Sequence, residues 1–131
     1  MNNKDFINAA LQEIITPSHD FSIERIAYYF NANYRQTVNG EMLLYADFVK
    51  HVRLLHQVLK SVEIKIIAMV EEGDIVFSHH HVLALKHNGS KMHTQVMAQF
   101  TLQDAKIIQC DELTHLISGH DDDHDLGSRV N

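Results

Sequence analysis

The chain has 131 residues, 45% hydrophobic and 21% charged, enough for one globular domain (residues 1–131) with a substantial core. Its net charge of −6, with no block of Lys or Arg, argues against a nucleic-acid binder, which needs a basic face against phosphates. The single cysteine, Cys110, leaves no internal disulfide and fits a reducing compartment, so a cytoplasmic protein is expected. No secretory signal is read at the N-terminus, and no apolar run approaches the ~20 residues needed to span a bilayer.

The first third reads as helical. Phe6, Ile7, Ala10, Leu11, Ile14 and Ile15 recur at three- and four-residue intervals, and Thr16-Pro17-Ser18 ends that helix because proline cannot continue the ladder. A second short helix is expected from about Ser22 to Phe30. Tyr34 to Val38 alternates as a short strand before an Asn39-Gly40 turn. Asp47 is the expected N-cap of a third helix reaching about Lys60, with Phe48, Val52, Leu55 and Leu59 as its stripe. His51 and His56 read as boundary residues of that stripe.

From Ser61 the period changes to two. Val62, Ile64, Ile66, Ala68 and Val70 alternate up to a turn at Glu71-Glu72-Gly73-Asp74. A strand from Ile75 to Lys86 carries His79-His80-His81, and Asn88-Gly89 is a hairpin signal. The next strand, Lys91 to Leu102, puts Met92, Thr94, Val96, Ala98, Phe100 and Leu102 on one side, and a last one runs from Lys106 to Leu116. Helices followed by an antiparallel meander make an α+β domain. The tail from about Ser118, with its Asp and His residues, reads as an extended acidic segment.

In a strand, His79 and His81 share one face and His80 takes the other. The expectation is that His79 and His81 form a polar spot inside an apolar pocket. His80, flanked by Val76, Val82 and Ala84, would then lie on the outer face. Apolar residues on both faces call for a second cover, so a homodimer packed sheet against sheet is expected.

The element order, together with Tyr28-Tyr29-Phe30, Tyr34-Arg35-Gln36-Thr37-Val38-Asn39-Gly40, Phe48, Gly73-Asp74-Ile75-Val76, the closing segment Lys106 to Leu116 and Asp125-Leu126-Gly127-Ser128-Arg129, resembles the nuclear transport factor 2-like superfamily. Within it the chain is similar to uncharacterised bacterial members of the SnoaL-like polyketide cyclase group. The resemblance implies a cone: a curved antiparallel sheet wrapped around a long helix, with N-terminal helices and a cavity at the open end. It also implies polar positions in that cavity, which fall at Tyr34, Gln36, His79, His81 and Glu112. An Arg and an Asp of the epoxide-hydrolase branch are replaced here by histidines, so that arrangement is not reproduced. A dehydratase branch with paired histidines, Tyr and Asp is closer in chemistry.

Several chemistries are open to these residues. Glu112 in an apolar cavity would have a raised pKa, and His79 could carry the second proton of an acid–base reaction. Tyr34 would hydrogen-bond a substrate oxygen, with Gln36 and His81 as ligand-binding residues. The reaction class is enolisation, cyclisation or dehydration of a small, mostly apolar carbonyl compound without a cofactor. The competing readings are polar groups that merely satisfy one another, a non-catalytic ligand-binding or dimeric assembly module, and a three-ligand metal site on His79, His81 and Glu112. No phosphate loop or dinucleotide fingerprint occurs, so no nucleotide cofactor is expected. Cys110 reads as a small buried hydrophobe rather than a nucleophile.

Overall fold

Asn2 and Ser22 start the first two helices by the same device, a side-chain oxygen that accepts an otherwise unpaired backbone N–H. Asn2 Oδ1 takes the Asp5 N–H at 2.8 Å and Ser22 Oγ the Arg25 N–H at 3.3 Å. The computed structural model describes residues 2–18 and 21–119. Helix α1 (Asn3–Ala10) continues as a π-helical turn (Leu11–Ile15) and stops at Thr16, forced into extended geometry ahead of Pro17. Helix α2 (Ile23–Tyr29) passes directly into strand β1 (Phe30–Val38).

The Asn39-Gly40 signal makes a tight hairpin with φ of 50° and 87°, the paired left-handed values of a type I′ turn. It leads into β2 (Glu41–Leu44), a short strand that the alternation of the sequence does not separate. Helix α3 (Tyr45–Val58) then begins two residues before the expected Asp47 cap. Leu44 holds the cap position without a side-chain hydrogen bond, and Asp47 lies in the first turn. The β1–β2 hairpin delivers the chain already oriented, so the helix starts where the strand ends.

Strands β3 (Leu59–Glu72), β4 (Ile75–Lys86), β5 (Lys91–Gln103) and β6 (Lys106–Ser118) form the expected meander. The sheet order is β2-β1-β6-β5-β4-β3. All pairs are antiparallel except β1 with β6, so the curved sheet is mixed rather than purely antiparallel. A register shift between Ile66 and Ala68 breaks the simple alternation of β3: Ala68 and Val70 become exposed while Ile64 stays buried. The acidic tail lies almost wholly at residues 120–131, outside the described residues.

The concave face of the sheet holds the helices. Phe48 of α3 packs on Phe30 and Tyr34 of β1, each ring pair 4.7 Å apart, and the core continues through Ile7, Ile26, Val76 and Phe100. A smaller cluster, Leu55, Leu59, Ala84 and Met92, fills the other end of α3. Between the two clusters the packing leaves a hollow.

Candidate active site

That hollow is a cavity of about 130 Å³ walled by α1, its π-helical extension, α3 and the inner rows of the sheet. Its polar lining comes from five elements: Tyr34 and Gln36 from β1, His51 from α3, His80 from β4, Thr94 from β5, and Glu112 and Thr114 from β6. The remaining walls are largely apolar, including Leu11, Phe48, Val96 and Phe100.

Strand pairing explains why these side chains converge. Across β4 and β5 the partners are Ser78 with Ala98, His80 with Val96, Val82 with Thr94 and Ala84 with Met92. Across β5 and β6 they are Ala98 with Glu112 and Val96 with Thr114. Residues directly opposite point to the same face, so His80 and Glu112 both look inward, one row apart and with β5 between them. On the parallel side Gln36 pairs with Cys110 and Val38 with Glu112. Asn39 then clamps this edge: its N–H donates to the Glu112 carbonyl at 3.0 Å, its Nδ2 donates to Thr114 Oγ1 at 2.8 Å, and its Oδ1 accepts the Thr114 N–H at 2.9 Å.

Tyr34, Gln36 and Glu112, the positions implied by the resemblance, line this cavity. His79 and His81 do not. Both lie on the convex face of the sheet, where His79 Nε2 meets Gln95 Nε2 at 2.9 Å and His81 Nδ1 meets His93 Nε2 at 2.7 Å. The inward histidine is His80, and Val76, Val82 and Ala84, expected outside with it, are inside as well. The expected pairing of His79 with Glu112 fails, and a metal site on His79, His81 and Glu112 is closed off because its ligands sit on opposite faces. Among the described residues no group of three His, Cys, Asp or Glu is arranged to hold a metal ion. His51, read as a boundary residue, is buried and lines the cavity; its spacing of three from Phe48 and four to Leu55 had placed it in the stripe.

The electrostatics follow from burial. Desolvation pushes the Glu112 carboxyl up to about 7, so at neutral pH it exists as both acid and base. The His80 imidazole moves the other way, to about 4, through desolvation first and then the neighbouring imidazoles of His79 and His81. It is neutral at physiological pH, with Nδ1 on Ser78 Oγ at 2.9 Å and Nε2 outside that bond. Burial, followed by the nearby Cys110 and Glu112, holds the Tyr34 phenol well above its ordinary value. Its hydroxyl donates to Gln36 Oε1 at 2.8 Å, so the proton expected to reach a substrate is already committed. The Gln36 amide in turn has its oxygen occupied and its N–H donors as the group to offer a ligand. Cys110, buried, has its thiol pushed well up and is no nucleophile.

Comparison with known proteins gives the same architecture. An uncharacterized protein of Schizosaccharomyces pombe is 28% identical over 120 residues, 90% of this chain and 92% of its own length. No family model matches the chain. Among solved structures, IdmH, a proposed polyketide cyclase from Streptomyces antibioticus, superposes with a TM-score of 0.69 at 13% identity, covering 89% of this chain and 93% of its own. An LEH-like epoxide hydrolase from M. tuberculosis gives 0.66 at 14% identity, over 85% of this chain and 80% of its own. A de novo designed protein with a curved β-sheet gives 0.63 at 15% identity, over 96% and 93%. The helices and the curved mixed sheet match those of these structures, so this chain has their cone-shaped α+β fold, the nuclear transport factor 2-like fold.

Proposed function

We propose that the protein binds a small, mostly apolar carbonyl compound in this cavity and moves a proton on it without a cofactor, as an isomerase, cyclase or dehydratase. The observation that carries the reading is Glu112, a carboxyl held near pKa 7 inside an apolar pocket beside the donors of Gln36. As carboxylate it takes a proton from the carbon next to the carbonyl. The C–H electron pair becomes the new carbon–carbon double bond, and the carbonyl pair moves onto oxygen, where the Gln36 amide stabilises the charge. Returning the proton to another carbon completes an isomerisation; attack of the enolate on a second carbonyl completes a cyclisation. His80 takes the place first given to His79, as a neutral imidazole whose Nε2 can hydrogen-bond the ligand or relay a proton without retaining charge. Tyr34 acts through Gln36 as a positioning residue. Similarity in fold to a proposed cyclase and an epoxide hydrolase supports a ligand-binding cavity of this kind.

A non-catalytic ligand-binding module is the second reading, favoured by the commitment of the Tyr34 proton to Gln36. Incubating 1,3-dicarbonyl compounds with the protein in D₂O and following loss of the α-proton signal by NMR separates the two. Acceleration by the wild type that Glu112→Gln removes supports catalysis; a compound that binds without exchange supports the module.

The same proposal includes a homodimer through the convex face. Val70 (63% exposed), Phe77 (42%), Leu113 (67%) and Ile117 (45%) lie there with Met97 beside His79 and Leu113 in register, which is an apolar surface suited to a second copy. The single buried thiol fits a reducing, cytoplasmic setting. No helix among the described residues is long and apolar enough to cross a membrane.

A further inference from the structure

The polarity of the cavity runs along the strands. At one end the inner rows read Cys110 with Gln36, then Ala98 with Glu112, then His80 with Val96; at the other they read Val82 with Thr94 and finally Ala84 with Met92. Helix α3 runs alongside with the same polarity: Phe48 packs on Tyr34 at the polar end, His51 follows, and Leu55, with Leu59 at the start of β3, packs on Ala84 and Met92 at the apolar end. From the Ala98 row to the Met92 row is six residues, roughly 20 Å of strand at ordinary rise. Gln36, His51 and His80 are almost fully buried, at 4%, 4% and 3% exposure, so the polar end is a built site rather than a solvated rim. Among the described residues the lining contains no Lys or Arg to receive an anion, while Glu112 itself ionises near neutrality.

From this the geometry points to the ligand class: an uncharged, elongated amphiphile with a carbonyl head at Glu112, Gln36 and His80 and an apolar tail laid past Thr94 toward Met92 and Leu59. The inference rests on the carbonyl reading of the site and adds its shape and charge. A free carboxylate head is disfavoured because it would bring a second negative charge beside Glu112 with no cation to offset it. A ketone, ester or thioester head meets no such opposition. The tail gains affinity by burial against the Leu55, Leu59, Met92 and Leu116 walls.

A chain-length series tests this on the wild-type protein. Binding of 2-alkanones with four to fourteen carbons is measured by calorimetry at pH 8, beside carboxylates of matching length. Affinity is expected to rise about fourfold per methylene and then level off once the tail passes the apolar end. Each carboxylate is expected to bind at least tenfold more weakly than its ketone. Met92→Phe, which fills the apolar end, should weaken the long ketones and leave the short ones unchanged. Affinity flat with length, or carboxylates that equal ketones, overturns the amphiphile assignment. Loss of exchange chemistry with length dependence intact instead removes the acid–base reading and leaves this one standing. Absence of binding by every ketone overturns both.

Discussion

The Tyr34 hydroxyl donates to Gln36 Oε1 at 2.8 Å, wholly inside the protein, and so decides which end of the Gln36 amide a ligand can meet. Two buried polar side chains, two residues apart on one face of β1, are thereby turned into one fixed donor. Replacing Tyr34 by Phe leaves the Gln36 oxygen unsatisfied and lets the amide rotate. The expected cost is about 1–3 kcal/mol of stability, together with weaker ligand binding than the stability loss alone produces. Chemical denaturation and a binding isotherm on the same variant check it.

Glu112 and His80 give opposite pH slopes over nearly the same interval. The Glu112 carboxyl rises from 4.5 to about 7 on folding, so the folded state holds the extra proton between those values. Its contribution is fully present below pH 4.5 and is lost as pH rises through 7. His80 falls from 6.5 to about 4, so the unfolded state holds the proton between them, and stability is lost as pH drops through that range. Each effect is on the order of 3 kcal/mol when complete. In the wild type the two largely cancel. Glu112→Gln should therefore be more stable than wild type at pH 8 and nearly equal at pH 4.5, while His80→Gln should show stability falling from pH 4.5 to 7. Thermal unfolding across pH reads both.

The convex face should register acid in a different way. His81 and His93 meet nitrogen to nitrogen at 2.7 Å, a bond in which one ring donates and the other accepts. A second proton removes the acceptor. Partial desolvation and then His93, His79 and Lys65 hold His81 below the ordinary imidazole range. If a second copy packs on this face, sedimentation should show dimer at pH 7.5 and monomer near pH 5. His81→Gln should flatten that dependence.

Asn39 holds β6 at Glu112 and Thr114 through three hydrogen bonds while itself standing at φ 50°. Asn39→Gly keeps the backbone conformation and removes the two side-chain bonds. A loss of about 1–2 kcal/mol is expected, with faster amide exchange at Thr114 by NMR.

Much of this site could be read from the chain. Met92, Val96 and Ala98 alternate with polar neighbours, so the inward face of β5 is evident, while Tyr34, Gln36 and Glu112 are pointed to by the resemblance rather than by periodicity. The histidine triplet misled because three identical side chains give no parity of their own. The Asn88-Gly89 hairpin does carry it: with Ala84 opposite Met92, even-numbered residues of both strands share a face, and His80 must be inside. The shift in β3 near Ile67 left no such mark, since an extra residue in a strand changes no composition. The parallel pairing of β1 with β6 was equally silent, being a contact between the first and last strands of the sheet that no local pattern records.

The claim on which the site depends is that the fold shields the Glu112 carboxyl from water. Carbon-13 NMR titration of the side-chain carboxyl, assigned with Glu112→Gln, measures this directly. A midpoint near 7 is the predicted result. A midpoint near 4.5, the ordinary value for glutamate, would contradict the account, because it would place the carboxyl in water rather than in a desolvating apolar pocket.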